Sequence, residues 1–202
     1  MYHNNNYAHY KEARDKAWEV LIKCNITSLP VNLSTIANLN NIYVIPYSSG
    51  YKPKSTSEDE DGFSFIKEDK IFIFYNDKKP LRRIRFTLAH ELGHCLLGHL
   101  SSGRTHHRNY EQDLLGLDVQ EMQANVFARD VLMPATVLHS LNICSSEDIV
   151  RLCNVTSKSA QLRYKRLIEV EKRGMFNKHP LERQVYLQFS DYIKKALDST
   201  NT

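Results

Sequence analysis

His90 and His94 stand four residues apart with Glu91 between them, in the run His90-Glu91-Leu92-Gly93-His94. On a helix, residues four apart are offset by about 40° and one turn, so the two imidazoles point the same way and can grip one metal ion. Glu91 then lies beside them. A carboxylate there is what metal-assisted hydrolysis needs to take a proton from water and hand it to a leaving amine. The alternative is a pair of core histidines satisfied by other protein groups. The surrounding helix is otherwise apolar, however, and burying two histidines and a glutamate on it is costly without a metal.

Zinc hydrolysis needs a third protein ligand, so that a fourth position stays open to water, which zinc acidifies to a pKa of about 7. The pattern HExxHxxGxxH is excluded, because the chain has Leu97 and Leu100 where Gly and His would be required. His99, five residues beyond His94, falls about 140° away if the helix continues. Glu121 is the preferred ligand: it sits in Glu121-Met122-Gln123-Ala124-Asn125, which reads as a helix. Asn125, one turn on, is placed to hydrogen-bond the outer nitrogen of a ligating histidine. His106 and His107 remain alternatives by spacing. A donor for the developing oxyanion is available in Tyr75, His106, His107, Tyr110 or Tyr164, and spacing does not choose among them.

These side chains must be carried by elements legible from periodicity. Ile84, Leu88, Leu92 and Leu96 repeat every four residues after Pro80, a suitable first-turn residue, and predict a long helix ending near Gly98 or shortly after Leu100. Asp118 is a candidate cap for the following helix, which runs towards Pro134. Upstream, Ala13, Ala17, Val20, Leu21 and Cys24 mark an amphipathic helix over 7–23, and Leu33, Ile36, Ala37 and Leu39 a short second one. Residues 42–45, 63–66 and 71–75 read as strands, the last two joined by a four-residue turn at 67–70. Residues 48–62 are polar and acidic, a surface loop. Ser145 or Ser146 caps a helix over 147–152, a turn follows at 153–156, and a longer helix starts at Ser157, a helix-turn-helix-like pattern. Residues 180–197 read as one last helix.

The chain has 202 residues, 42% of them hydrophobic and 25% charged, enough for one packed domain or two small ones. A division into 1–143, bearing the metal motif, and 144–202, the helix-turn-helix-like and C-terminal helical region, suits the pattern. The expected class is α+β: a mainly helical core with a small sheet of about three strands. Cys24, Cys95, Cys144 and Cys153 form no CxxC pair, so reduced thiols are expected. The polar N-terminus lacks a signal pattern, and no apolar run is long enough for a bilayer, so the expected setting is cytoplasmic without membrane contact. The net charge is +4, but residues 151–202 hold eleven Lys/Arg against five Asp/Glu. A basic tail suits nucleic acid or an acidic partner, although a solvated helix face accounts for it as well.

The chain resembles the ImmA/IrrE family of metallopeptidases, whose two signature helices read HELGH and ExxANxFA…LMP. Here they are His90 to His94, and Glu121-Met122-Gln123-Ala124-Asn125-Val126-Phe127-Ala128 followed by Leu132-Met133-Pro134. Weaker similarity extends to Leu29-Pro30-Val31 and to residues 149–167, so it covers most of 7–170. The resemblance implies a gluzincin-like core, zinc held by His90, His94 and Glu121, and Glu91 as general base. It also implies a protein substrate, typically a helix-turn-helix transcriptional repressor whose cleavage frees a promoter. The acidic stretch 55–61 and the histidine-bearing stretch 104–108 depart from the family's usual pattern. Two other functions fit the residues. One is a DNA-binding regulator reading through 145–170, with Arg163, Lys165 and Arg166 on phosphates. The other is a partner-binding protein that does not cleave and keeps a vestigial zinc site.

Overall fold

The computed structural model describes residues 2–51, 59–100, 106–107 and 119–200. Within these the chain is a mainly helical α+β protein. The expected cap Asp118, the alternatives Tyr110 and the His106 and His107 side chains, and most of the acidic and histidine-bearing stretches lie outside the described residues.

The chain divides into two compact units, 1–16 with 33–128, and 17–32 with 129–202. In the first unit, α1 (Tyr2–Lys23) and α2 (Leu33–Leu39) precede β1 (Ile42–Pro46), β2 (Gly62–Lys67), β3 (Lys70–Tyr75), α3 (Leu81–Leu96), β4 (His106–His107) and α4 (Val119–Leu132). α1 and α4 continue into the second unit. The sheet order is β1-β3-β2-β4, with β1 parallel to β3 and the other pairs antiparallel. β4 is a short fourth strand beyond the three expected. The β2–β3 turn is tighter than the sequence pattern suggested: Lys67 pairs with Lys70, leaving only Glu68 and Asp69, both at positive φ, between the strands. That is the two-residue geometry whose twist matches the flanking strands.

Phe63, Phe65, Phe72 and Phe74 stack across β2 and β3, with Phe63 and Phe74 ring centroids 5.4 Å apart. Such pairs contribute about 0.5–1.5 kcal/mol beyond area burial. α3 packs on β2 and β3. Its approach is close at Gly62, where a Cβ would lie 2.7 Å from the Thr87 methyl and 2.8 Å from the Phe74 carbonyl oxygen. Arg83, in the first turn of α3, donates from Nε to both Asp61 oxygens at 2.9 Å and ties the helix to the residue before β2.

The second unit adds α5 (Ala135–Ser140), α6 (Ser146–Cys153), α7 (Ser157–Lys172), α8 (Pro180–Gln188) and α9 (Ser190–Thr200). α5 was not legible in the sequence: it has six residues and begins directly after Pro134. Ser145 caps α6 in a full capping box with Asp148, Asn154 ends it in the left-handed conformation, and Thr156 caps α7. The expected final helix is two, broken at buried Phe189. Just before the break, Gln188 donates from Nε2 to the carbonyls of Leu21 (2.8 Å) and Ile26 (2.7 Å), satisfying acceptors at the end of α1. Neither Gly nor Pro signals that break. No helix among the described residues is long and apolar enough to cross a membrane.

Candidate metal centre

α3 and α4 bring His90, His94 and Glu121 together, with one ligand atom from each inside a 4.8 Å cluster. His90 Nε2 and His94 Nε2 are 3.0 Å apart, His90 Nε2 is 3.2 Å from Glu121 Oε2, and His94 Nε2 is 3.1 Å from Glu121 Oε1. Ligand atoms sharing one zinc at about 2.0–2.2 Å and near-tetrahedral angles stand roughly 3.3 Å apart, so these spacings fit. Asn125 Oδ1 lies 3.1 Å from His90 Nδ1. An amide oxygen only accepts, so Nδ1 carries the proton and Nε2 turns a lone pair on the cluster. These atoms closing on one point could hold a metal ion, and the donor set of two imidazoles and a carboxylate suits zinc.

The local electrostatics favour the ionisation that a metal requires. His90, Glu91 and His94 are fully buried. Burial pulls His94 down to about 4, with the neighbouring His90 adding to the fall against the opposing pull of Glu121. Neutral imidazole and ionised carboxylate are the ligand forms.

Glycine at 93 makes the convergence possible. A Cβ there would lie 3.1 Å from Ala124 Cα, 3.2 Å from the Ala124 carbonyl oxygen and 3.2 Å from Phe127 Cδ1, so at that point the α3 backbone approaches the α4 backbone closely. Ala124 and Phe127 are fully buried against it. The closeness brings Glu121, three residues before Ala124, onto the two histidines and Asn125, the residue after it, onto His90.

Glu91 does not join the cluster of ligand atoms. Its Oε2 accepts from Ser64 Oγ of β2 at 2.8 Å. Ser64 is fully buried and pairs in the sheet with His106 of β4. Cys95 also lies close: burial and then the Glu91 charge push its thiol up, and it is not part of the His90, His94 and Glu121 cluster. Tyr47, in the 3₁₀ turn Tyr47–Ser49 after β1, has its phenol pushed up by burial and then by Glu60, Glu91 and Asp61, which puts it within electrostatic reach of the same carboxylate. Sequence reading missed Ser64 and Tyr47 because neither lies in a helix motif. Of the tyrosines it named, Tyr164 is committed in the second unit, donating to the Cys144 carbonyl oxygen at 2.5 Å.

His99 departs from expectation. The helical phase that put it about 140° from His94 fails because α3 ends at Leu96. Gly98 is left-handed (φ 75°), the His99 amide donates to the His94 carbonyl at 3.0 Å, and the Gly98 amide to the Cys95 carbonyl at 3.4 Å. These two bonds define a Schellman turn, in which the residue after the glycine folds back on the third-last helical residue. That pair is often apolar; here it is His99 on His94, with Nδ1 to Nδ1 at 3.0 Å. Leu-Gly-His after the motif is the signal that could have shown it.

The expected phosphate contacts of α7 lose one member. Arg163 is buried, donating from Nε to the Met133 carbonyl at 2.7 Å and ion-paired with Asp130 at 2.8 Å. Its charge is used inside the second unit. Arg166 pairs with Glu169 at 2.7 Å, and Lys165 is exposed.

A histidine pair on one helix and a carboxylate from the next, closing on a single point beside a buried glutamate, is the arrangement of a metallopeptidase-type centre. Residues 51–165 match the model of the Peptidase M78 family, the IrrE N-terminal-like domain, and because that stretch is more than half of the 202 residues, the chain belongs to this family. Among curated proteins none matches the chain.

Proposed function

We propose that this chain is a zinc-dependent endopeptidase, with His90, His94 and Glu121 as ligands and Glu91 as general base, that works in the cytoplasm on a helix-turn-helix transcriptional repressor. The observation that carries the reading is the convergence of both Nε2 atoms and the Glu121 carboxylate within 3.2 Å of one another, inside a peptidase family. The repressor as substrate rests on the resemblance to ImmA/IrrE peptidases.

Bound there, zinc supplies Lewis acidity towards a peptide carbonyl and acidifies water at its open position. The side chains do the rest. Asn125 keeps His90 in the tautomer that ligates. Ser64 anchors the Glu91 carboxylate at Oε2. Glu91 takes one proton from that water as its oxygen bonds to the carbonyl carbon, then delivers the proton to the amine nitrogen as the C–N bond breaks. Burial of Glu91 strengthens each of these interactions by excluding bulk water.

The test is cleavage of a helix-turn-helix repressor encoded beside this chain, with zinc and with a chelator. Cleavage with zinc, its loss with chelator, and its loss by roughly 10²–10⁴-fold in Glu91→Gln at unchanged zinc content are expected. A zinc-loaded protein that binds the repressor and leaves it whole would replace this reading with that of a non-cleaving partner. A salt-sensitive shift of duplex DNA that disappears in Lys165→Ala would favour the DNA-binding regulator.

A further inference from the structure

We infer that His99, Gln123 and Glu12 form a positioning chain that holds His94 in its metal-ligating tautomer, so that the N-terminal helix takes part in metal binding. This rests on the zinc reading above and adds three residues to it.

The α1 end fixes the polarity of the chain. Gln123 Nε2 lies 2.8 Å from Glu12 Oε2 and 3.5 Å from the His9 carbonyl oxygen, both on α1. A carboxylate and a carbonyl can only accept, which fixes the Gln123 amide with its NH₂ towards α1 and its oxygen towards His99. His99 Nε2 is 3.2 Å from that oxygen and must therefore carry the proton. In a neutral ring Nδ1 is then the acceptor, and it faces His94 Nδ1 at 3.0 Å. His94 donates, and its Nε2 is left bare, turned on His90 and Glu121. The opposite polarity would set the Gln123 oxygen against the Glu12 carboxylate and the His9 carbonyl, acceptor on acceptor. One direction satisfies every link.

The burial gradient suits such a chain. His94 is fully buried, Gln123 is 6% exposed, and Glu12 ends the series with its side chain 65% exposed. Ligating histidines commonly donate their second nitrogen directly to a carboxylate or carbonyl. His90 reaches Asn125 in one step, whereas His94 reaches its carboxylate through an imidazole and an amide.

The experiment measures zinc dissociation constants by competition with a chromophoric chelator, alongside unfolding of each metal-free protein. His99→Ala is expected to weaken zinc roughly 10- to 100-fold. His99→Asn, whose amide oxygen can accept where Nδ1 did, should recover most of that loss. Gln123→Ala and Glu12→Ala should show smaller, graded losses, and metal-free Glu12→Ala should unfold like the parent because its side chain is exposed. Parental affinity in His99→Ala, or no difference between the Ala and Asn variants, overturns the inference while leaving the metal site standing. If the His99 variants do not fold, Glu12→Ala decides: full zinc affinity there removes α1 from the chain. A parent protein that binds no zinc overturns both readings.

Discussion

Glu91 stands apart from the His90, His94 and Glu121 cluster, held by a hydrogen bond from a strand residue. Ser64 and Glu91 are 27 positions apart in sequence and 2.8 Å apart in space, both fully buried. A hydrogen bond to a charged group contributes about 1.5–3 kcal/mol. If the bond chiefly holds the carboxylate in its working orientation, Ser64→Ala should lower kcat roughly 10- to 100-fold with little change in KM, and Ser64→Thr should retain most of it. Steady-state kinetics at saturating zinc checks this. An unchanged kcat in Ser64→Ala would reduce Ser64 to packing. HELGH made Glu91 legible as the proposed base, but the strand residue that holds it had no signature, because a serine in an apolar strand is common for many reasons.

At the scale of elements, the centre depends on how closely α3 and α4 approach. In an isolated helix, glycine to alanine stabilises by about 1 kcal/mol. At Gly93 the sign should reverse, since the added methyl meets the Ala124 backbone at 3.1 Å and backbone cannot yield as a side-chain tip does. Gly93→Ala should cost about 1–3 kcal/mol in stability and, by moving Glu121 off the histidines, weaken zinc at least 10-fold. Denaturant unfolding and chelator competition measure the two effects. A more stable variant with full zinc affinity would show that the helices do not rely on this contact. The element boundaries were legible where a residue type forces them: Pro80 before α3, Ser145 at α6, Ser157 after the Thr156 cap. They were not legible at Phe189 or in α5, where packing rather than a breaker ends the helix.

For the molecule as a whole, two linkages are expected. If zinc binds the folded site as proposed, and not the unfolded chain, zinc at 100 times its dissociation constant should add about 2.7 kcal/mol of stability. Thermal unfolding should rise with zinc and return to the metal-free value with chelator; a Tm indifferent to both would be inconsistent with a structural hold on the ion. The second linkage concerns Asp130, buried in the second unit between Arg129 and Arg163. Burial opposes its charge, but the two guanidinium groups prevail and hold its carboxyl below the ordinary range. Its contribution is therefore fully present above the unfolded value of about 3.9, and is lost as pH falls through the lower folded value. Denaturant stability should hold from neutrality to about pH 5 on account of this group and drop in stronger acid. In Asp130→Asn part of that acid slope should vanish. An identical slope in the variant would assign the acid loss to other carboxylates.

The amino-acid sequence alone pointed to the candidate chemistry of the centre, because a metal site on helices is written in fixed spacings: a step of four from His90 to His94 and of four from Glu121 to Asn125. It also carried the amphipathic register of α1, whose marked positions Ala13, Ala17, Val20, Leu21 and Cys24 are all buried. Only the tertiary structure brings Glu121 onto the histidine pair, sets Ser64 on Glu91, and turns Arg163 inward onto a buried aspartate. It also decided that His99 returns to His94, since a left-handed glycine abolishes the helical phase from which a spacing argument starts. Contacts between residues distant in the chain follow from packing and loop closure, and no local periodicity encodes them.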